Sequence, residues 1–190
     1  MGLQGLFITV HGLPLRPPYH EPDETHVRTV DEAMTPESKR LVKDSWERVE
    51  PISEVAAALF YGRLFELDPE LRHLFRGDME EQGRKLMQTL TVVVRGLDRL
   101  DALLPAVEAL GRRHGTYGVR DAHYETVEQA LLWTLGRGLG EDFTPAVRDA
   151  WAQAYDTLAT VMKRASAGAP GLPSTGPMAD GVQRRALAAD

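Results

Sequence analysis

The central part of the chain repeats apolar residues with the period of a helix. Apolar positions recur three and four residues apart throughout 35–165, and no run alternates with the period of two that is typical of a strand. The breaks between these runs are prolines, glycines and capping residues, with Pro51 and Pro105 among them. The pattern predicts an all-α bundle of about seven helices. The helices are expected near 36–49, 52–67, 69–75, 79–97, 105–114, 121–138 and 145–165.

The two ends of the chain differ from this central part in composition. Residues 1–34 contain several prolines and acidic residues, and residues 166–190 are rich in alanine, glycine, proline and serine. Both segments are therefore predicted to be disordered tails on one domain at 35–165. Thr35 and Pro36 suit the cap and the first turn of a helix. A further hypothesis is that translation starts at Met34.

Composition narrows the classes of function. The chain has 190 residues, 43% of them hydrophobic, a formal net charge of −6 and no cysteine. The negative charge argues against a nucleic-acid surface, and the lack of cysteine excludes zinc–thiolate sites, iron–sulfur clusters and thiolate-ligated haem. No apolar run reaches the roughly 18 residues of a membrane span, and a signal peptide is not expected. We expect a cytoplasmic protein without nucleic-acid or membrane partners.

One histidine continues an apolar stripe. Leu103, Val107, Leu110 and His114 fall on one face of a helix. A buried imidazole needs a partner, because an unpartnered buried polar group costs roughly 1–3 kcal/mol. A metal is one such partner. Taken alone, His114 is better explained as a helix-end residue that interacts with the helix dipole.

Two further polar side chains lie on apolar faces. Gln82 belongs to the stripe that includes Leu86 and Leu90, and Tyr61 lies on the apolar face of the predicted helix 52–67. Phe75 closes the next short helix. Each of these residues, taken alone, is compatible with ordinary core packing or a partly exposed position.

Taken together and in order, these positions resemble the globin family over residues 36–164. The likeness is greatest to single-domain bacterial globins and to the haem domain of flavohaemoglobins. The spacing between Gln82 and His114 suits residues on opposite faces of a haem. The resemblance rests on 59–61, 64–65, 68–71, 74–75, 82, 84–87, 110–114, 118–119, 123–124, 150–151 and 154–155.

The resemblance implies a haem b pocket in which His114 is the iron ligand. Its second ring nitrogen would donate to a backbone carbonyl near Leu110. Further contacts with the cofactor are expected from Phe75, Leu86, Leu110, Tyr117, Val119 and Tyr124. Arg84, Lys85, Arg112 and Arg113 are candidate partners of the haem propionates, whereas His73 and His123 are expected at the surface or at helix ends.

Tyr61 and Gln82 would be the groups that stabilise a bound gas. The expected ligands are O₂, NO and CO. Bound O₂ carries more negative charge than CO, so two hydrogen-bond donors favour O₂ and slow its release. Whether Tyr61 or Gln82 also coordinates ferric iron is left open.

The other side of the haem departs from the flavohaemoglobin pattern. Tyr124 matches a tyrosine near the iron-bound histidine, but Ser166 stands where those proteins carry a glutamate. A strongly electron-donating imidazole, and with it peroxidase-like O–O cleavage, is therefore not expected.

The resemblance leaves several roles open. Tight O₂ binding suits storage, sensing or NO dioxygenation, and turnover would need a separate flavin and NAD(P)H reductase because few residues follow His114. The main alternative is a gas or redox sensor that acts through a protein partner. A carrier that passes its haem to other proteins is a third.

Overall fold

The fold is a bundle of helices. The structure is a computed structural model that describes residues 34–75 and 77–168. Within these ranges there is no strand, as the sequence predicts. Six α-helices are present: α1 (Pro36–Val49), α2 (Ser53–Leu67), α3 (Met79–Arg95), α4 (Leu100–Thr116), α5 (Asp121–Leu139) and α6 (Pro145–Ala167). Short 3₁₀ helices join them at Glu50–Ile52, Pro69–Leu74, Leu97–Arg99 and Gly140–Asp142.

Side-chain caps begin three of the helices. The Thr35 hydroxyl accepts a hydrogen bond from the backbone N–H of Ser38 at 3.0 Å, which confirms the predicted start of α1. Asp78 and Thr144 accept backbone N–H groups in the same way at the starts of α3 and α6. Each cap satisfies a donor that has no partner within the helix.

Two predicted elements differ from the structure. The segment predicted as a helix at 69–75 is the 3₁₀ helix Pro69–Leu74, so six of the seven predicted helices are α-helices in the described part of the chain. Pro105 does not begin a helix, because α4 starts at Leu100 and continues through it. Pro105 lies past the first turn of α4, so it removes the hydrogen bond to the Asp101 carbonyl and its ring crowds that carbonyl. Burial of Leu100 and Val107 on the same helix offsets that loss.

The predicted tails begin slightly further out than the sequence suggests. Met34 is buried, and α6 includes Ser166 and Ala167, which were assigned to the C-terminal tail. Ser166 and Ala167 continue the amphipathic helix α6, so the domain end at residue 165 that composition predicts is too early. The rest of both predicted tails lies outside the described residues.

Close packing between helices sets the position of the site. The most extensive contacts join α4 to α6 and α2 to α5. Trp46 and Trp151 pack at 5.9 Å between ring centroids, and the Trp151 indole donates to the Ser45 hydroxyl at 2.9 Å. In the described part of the chain, no helix is both long and apolar enough to cross a membrane.

Candidate cofactor pocket

An apolar cavity lies between α3, α4, α5 and α6. Its volume is about 220 Å³, and Leu90, Val93, Leu158 and Met162 form much of its apolar wall. Five residues predicted to contact a cofactor line it together, although they come from separate parts of the chain. They are Phe75, Leu110, His114, Val119 and Tyr124.

The His114 ring is oriented by its own helix. Its Nδ1 lies 3.0 Å from the Leu110 carbonyl oxygen, which can only accept, so Nδ1 carries the proton and Nε2 has a free lone pair. Burial lowers the pKa of His114; the Leu110 hydrogen bond opposes this shift and the Arg113 guanidinium adds to it. The imidazole is therefore held neutral, in the form that binds metals.

Two glycines place α4, and with it His114, against α6. A Cβ atom on Gly111 would lie 2.5 Å from the Met162 carbonyl oxygen and 2.7 Å from the Met162 Cα. A Cβ atom on Gly115 would lie 3.2 Å from the Ser166 Cβ. The helices reach this separation only because both side chains are absent. This role is absent from the predictions made above, although two glycines four residues apart beside His114 were the available signal.

The chain turns sharply after α4 and brings Val119 back to the cavity. Gly118 has a φ of 82°, which glycine adopts without strain, and the Val119 N–H donates to the His114 carbonyl at 3.1 Å. Tyr117 lies on the outside of this turn and is 63% exposed. The expectation that Tyr117 contacts the cofactor is corrected here, because the turn directs its side chain to solvent.

Tyr124 stands beside His114 with an unsatisfied hydroxyl. The two ring centroids are 6.4 Å apart, and the buried Tyr124 hydroxyl has no hydrogen-bond partner among the described residues. The Lys163 ammonium lies 5.4 Å from the centre of the Tyr124 ring. The Ser166 hydroxyl donates to the Lys163 carbonyl at 2.8 Å. The positive charge of Lys163 therefore lies against the Tyr124 ring, and the Ser166 side chain near Lys163 is uncharged.

His123 differs from its expected place at the surface. It is 6% exposed and lines the cavity, because it packs at the start of α5 beneath Arg120. The backbone N–H of Arg120 is 3.2 Å from Nδ1 of His123, and the Arg120 guanidinium Nε is 3.2 Å from Nε2. A neutral imidazole can accept only one of these bonds, so Arg120 is not fully satisfied by His123. His73, in contrast, is exposed, as the sequence predicts.

The four cations proposed for the propionates do not line the cavity. Lys85 pairs with Glu81 at 2.7 Å and Arg112 lies 3.7 Å from Glu108, both on exposed helix faces. Arg84 lines a separate outer groove. Arg120 contacts the cavity residue His123 from the N-cap position of α5.

The expected gas-stabilising pair lies behind Phe75, outside this cavity. Tyr61 packs edge-on against Phe75 with 5.3 Å between ring centroids, and its hydroxyl donates to the Gln82 backbone carbonyl over a long 3.4 Å. Burial raises the pKa of Tyr61 to about 12, so the hydroxyl stays protonated and able to donate. Leu86 is half-buried against the core and does not line the cavity either. The structure thus brings Tyr61 to Phe75 without directing its hydroxyl toward His114.

Comparison with known proteins decides the family. The model of the globin family matches residues 58–162, which is more than half of the chain. This chain belongs to the globin family. The matched residues include Tyr61, Gln82, His114 and Tyr124.

The relatives of this globin include both multidomain and single-domain proteins. It is 31% identical over 131 residues to a flavohemoprotein of Vibrio cholerae and 33% identical over 132 residues to one of Bordetella parapertussis. These matches cover 67% and 68% of this chain, and the chain spans about a third of the length of either flavohemoprotein. It is also 29% identical over 147 residues to a neuroglobin of Tetraodon nigroviridis, covering 70% of this chain and 92% of that protein.

A solved structure supports the same placement. The chain resembles an engineered carbene transferase made from a Rhodothermus marinus protein assigned as a nitric oxide dioxygenase. The TM-score is 0.65 at 31% identity, and the match covers 70% of this chain and 94% of the other. This identity and TM-score agree with the assignment to the globin family.

Globins hold a haem and bind diatomic gases, and the residues of this cavity fit such a group. His114 offers one neutral imidazole in apolar surroundings, which suits an iron that brings its other ligands in a macrocycle. The unpartnered Tyr124 hydroxyl and the partly satisfied Arg120 are polar groups beside it.

Proposed function

We propose that this globin holds haem b through Nε2 of His114 and binds O₂ tightly. The observation that carries the proposal is the His114–Leu110 hydrogen bond, which fixes a neutral imidazole in the apolar cavity. When bound, the haem supplies an iron that takes up a diatomic gas. The chain itself orients the imidazole, packs Phe75 beside the cofactor and keeps water out through the apolar walls.

Tyr61 and Gln82 are proposed as the groups that hold the gas. In support, the Tyr61 hydroxyl is protonated, buried and bonded to the Gln82 carbonyl only at 3.4 Å, so this bond is easily exchanged for a better acceptor. The ring already contacts Phe75 at the edge of the cavity. A charged ligand would compete well for this donor, because charge-assisted bonds are roughly twice as strong as neutral ones.

The reaction that tight O₂ binding favours is NO dioxygenation. In it, NO, O₂ and one electron give nitrate, so each turnover consumes an electron that a separate flavin reductase using NAD(P)H would supply. Similarity to flavohemoproteins and to a protein assigned as a nitric oxide dioxygenase supports this choice. Among the described residues, no carboxylate acts on the His114 imidazole, and the neutral Ser166 lies near Lys163; this supports O₂ holding over O–O cleavage.

Nitrate formation tests the proposed function. The haem-loaded protein is expected to convert NO to nitrate over many turnovers when O₂, NADH and a flavin reductase are present, and for about one turnover when the reductase is omitted. His114→Ala should lose this activity, while His73→Ala should keep it because His73 is exposed. Nitrate formation no faster than in the absence of the protein, with haem bound, would exclude the dioxygenase role.

A further inference from the structure

A second, larger concavity lies on the outside of the cofactor pocket, between α2 and α3. It is an open groove of about 940 Å³. Its apolar surface includes Ala58, Phe65, Met79 and Met87, and charged residues such as Glu54 and Arg84 lie along it. No function has so far been assigned to this groove, and it shares no lining residue with the cavity that contains His114.

One layer of aromatic side chains separates the groove from the cavity. Tyr61 and Phe65 line the groove, and Phe75 lines the cavity. The Phe75 ring is 5.3 Å from the Tyr61 ring and 5.6 Å from the Phe65 ring, both in edge-on geometry. These are direct ring contacts, so nothing else intervenes where the three rings meet.

The layer can open without movement of the helices. The α2 and α3 backbones are held close where a Cβ atom on Gly83 would lie 3.0 Å from the Ala57 Cβ. The Tyr61 side chain, in contrast, is held by one long hydrogen bond of 3.4 Å to the Gln82 carbonyl and by contacts with neighbouring aromatic rings. A rotation of one ring displaces fewer packed atoms than a shift of two packed helices, so ring rotation at Tyr61 is the easier motion.

We propose that the α2–α3 groove is the access route by which small apolar gases reach the cavity, with the Tyr61–Phe75 contact as its gate. This inference rests on the proposed function and adds the path of the gas to it. O₂, NO and CO are apolar and leave water readily for an apolar surface. The groove gathers them within one side-chain layer of the cavity.

A route and a binding contact have different kinetic consequences. Obstructing a route raises the barrier in both directions, so association and dissociation slow by the same factor and the dissociation constant stays unchanged. Removing a binding contact speeds dissociation and raises the dissociation constant. The two roles of Tyr61, gate and hydrogen-bond donor, are separable on this ground.

Gly62→Trp obstructs the groove without touching the cavity. Gly62 lines the groove and is exposed, and a Cβ atom there meets nothing within 4 Å. We expect CO to associate about ten times more slowly with the ferrous, haem-loaded variant, as measured by flash photolysis. Dissociation should slow equally, at an unchanged dissociation constant and absorption spectrum. Val55→Trp is the matched control, because Val55 is an exposed residue of α2 that does not line the groove.

A second variant and a second probe keep the test independent of one substitution and of haem. Ala58→Trp, also in the groove, should reproduce the slowing. In NMR spectra, dissolved xenon should shift the methyl resonances of Met87 in the groove and of Met162 in the cavity. The Gly62→Trp and Ala58→Trp variants should show a smaller shift at Met87, and Val55→Trp should leave that shift unchanged. Unchanged CO rates, or a changed dissociation constant, would overturn the route. If the protein takes up no haem, the proposed function is refuted but the route is not. If xenon does not shift the Met87 resonance, the route is overturned whether or not haem binds.

Discussion

Gly111→Ala is expected to lower the free energy of unfolding by roughly 1–3 kcal/mol, the usual cost of overpacking. The added methyl would meet the Met162 backbone at 2.5 Å, and a backbone within a helix cannot yield as a flexible side chain does. Relief requires α4 to move away from α6. Since α4 carries His114, haem affinity should fall together with stability.

Gly62→Ala is the matched control for Gly111→Ala. Gly62 also lies within a helix, but a Cβ atom there meets no neighbour within 4 Å. Alanine should therefore stabilise the protein by roughly 0.5–1 kcal/mol through helix propensity. Urea denaturation of both variants measures the difference. A Gly111→Ala protein as stable as the parent would mean that α4 and α6 do not pack as closely as described.

Tyr61→Phe is expected to raise the rate of O₂ dissociation at least about tenfold, because one donor lost from a charge-assisted bond costs roughly 1.5–3 kcal/mol. The ring contacts with Phe65 and Phe75 remain in this variant. CO gains less from a hydrogen bond, so its dissociation constant should change much less than that of O₂.

The control for Tyr61→Phe is Tyr117→Phe, because Tyr117 is 63% exposed and outside the cavity. Stopped-flow replacement of O₂ by CO gives the dissociation rates of both variants. If Tyr61→Phe releases O₂ at the parental rate, the hydroxyl does not hold the gas, and the argument for NO dioxygenation from tight binding loses its basis.

Local signals predicted much of the fold and part of the site. Thr35 caps α1 as expected, and the apolar stripe that ends at His114 directs this side chain into the cavity. Helical periodicity determines such facing directly, because side chains four residues apart share a face. The acceptor of the His114 ring, the Leu110 carbonyl, follows from the same geometry.

The differences arise where tertiary packing overrides a local signal. Pro105 is a helix breaker by itself, yet burial of its neighbours carries α4 through it. His123 is buried because Arg120 and the start of α5 cover it, and no periodicity shows this. The need for Gly111 depends on the Met162 backbone, a residue far along the chain. The exposure of Tyr117 also depends on tertiary structure, because the chain turns at Gly118 to reach the start of α5.

If His114 supplies the ligand of a haem, removal of its side chain should leave a space that free imidazole can fill. Titration of the His114→Gly variant with ferric haem, with and without added imidazole, tests this. The parent should bind one haem with a strong Soret band. The variant should lose the parental spectrum and regain it when free imidazole occupies the space that the side chain has left. A His114→Gly spectrum identical to that of the parent, and insensitive to imidazole, would contradict the assignment.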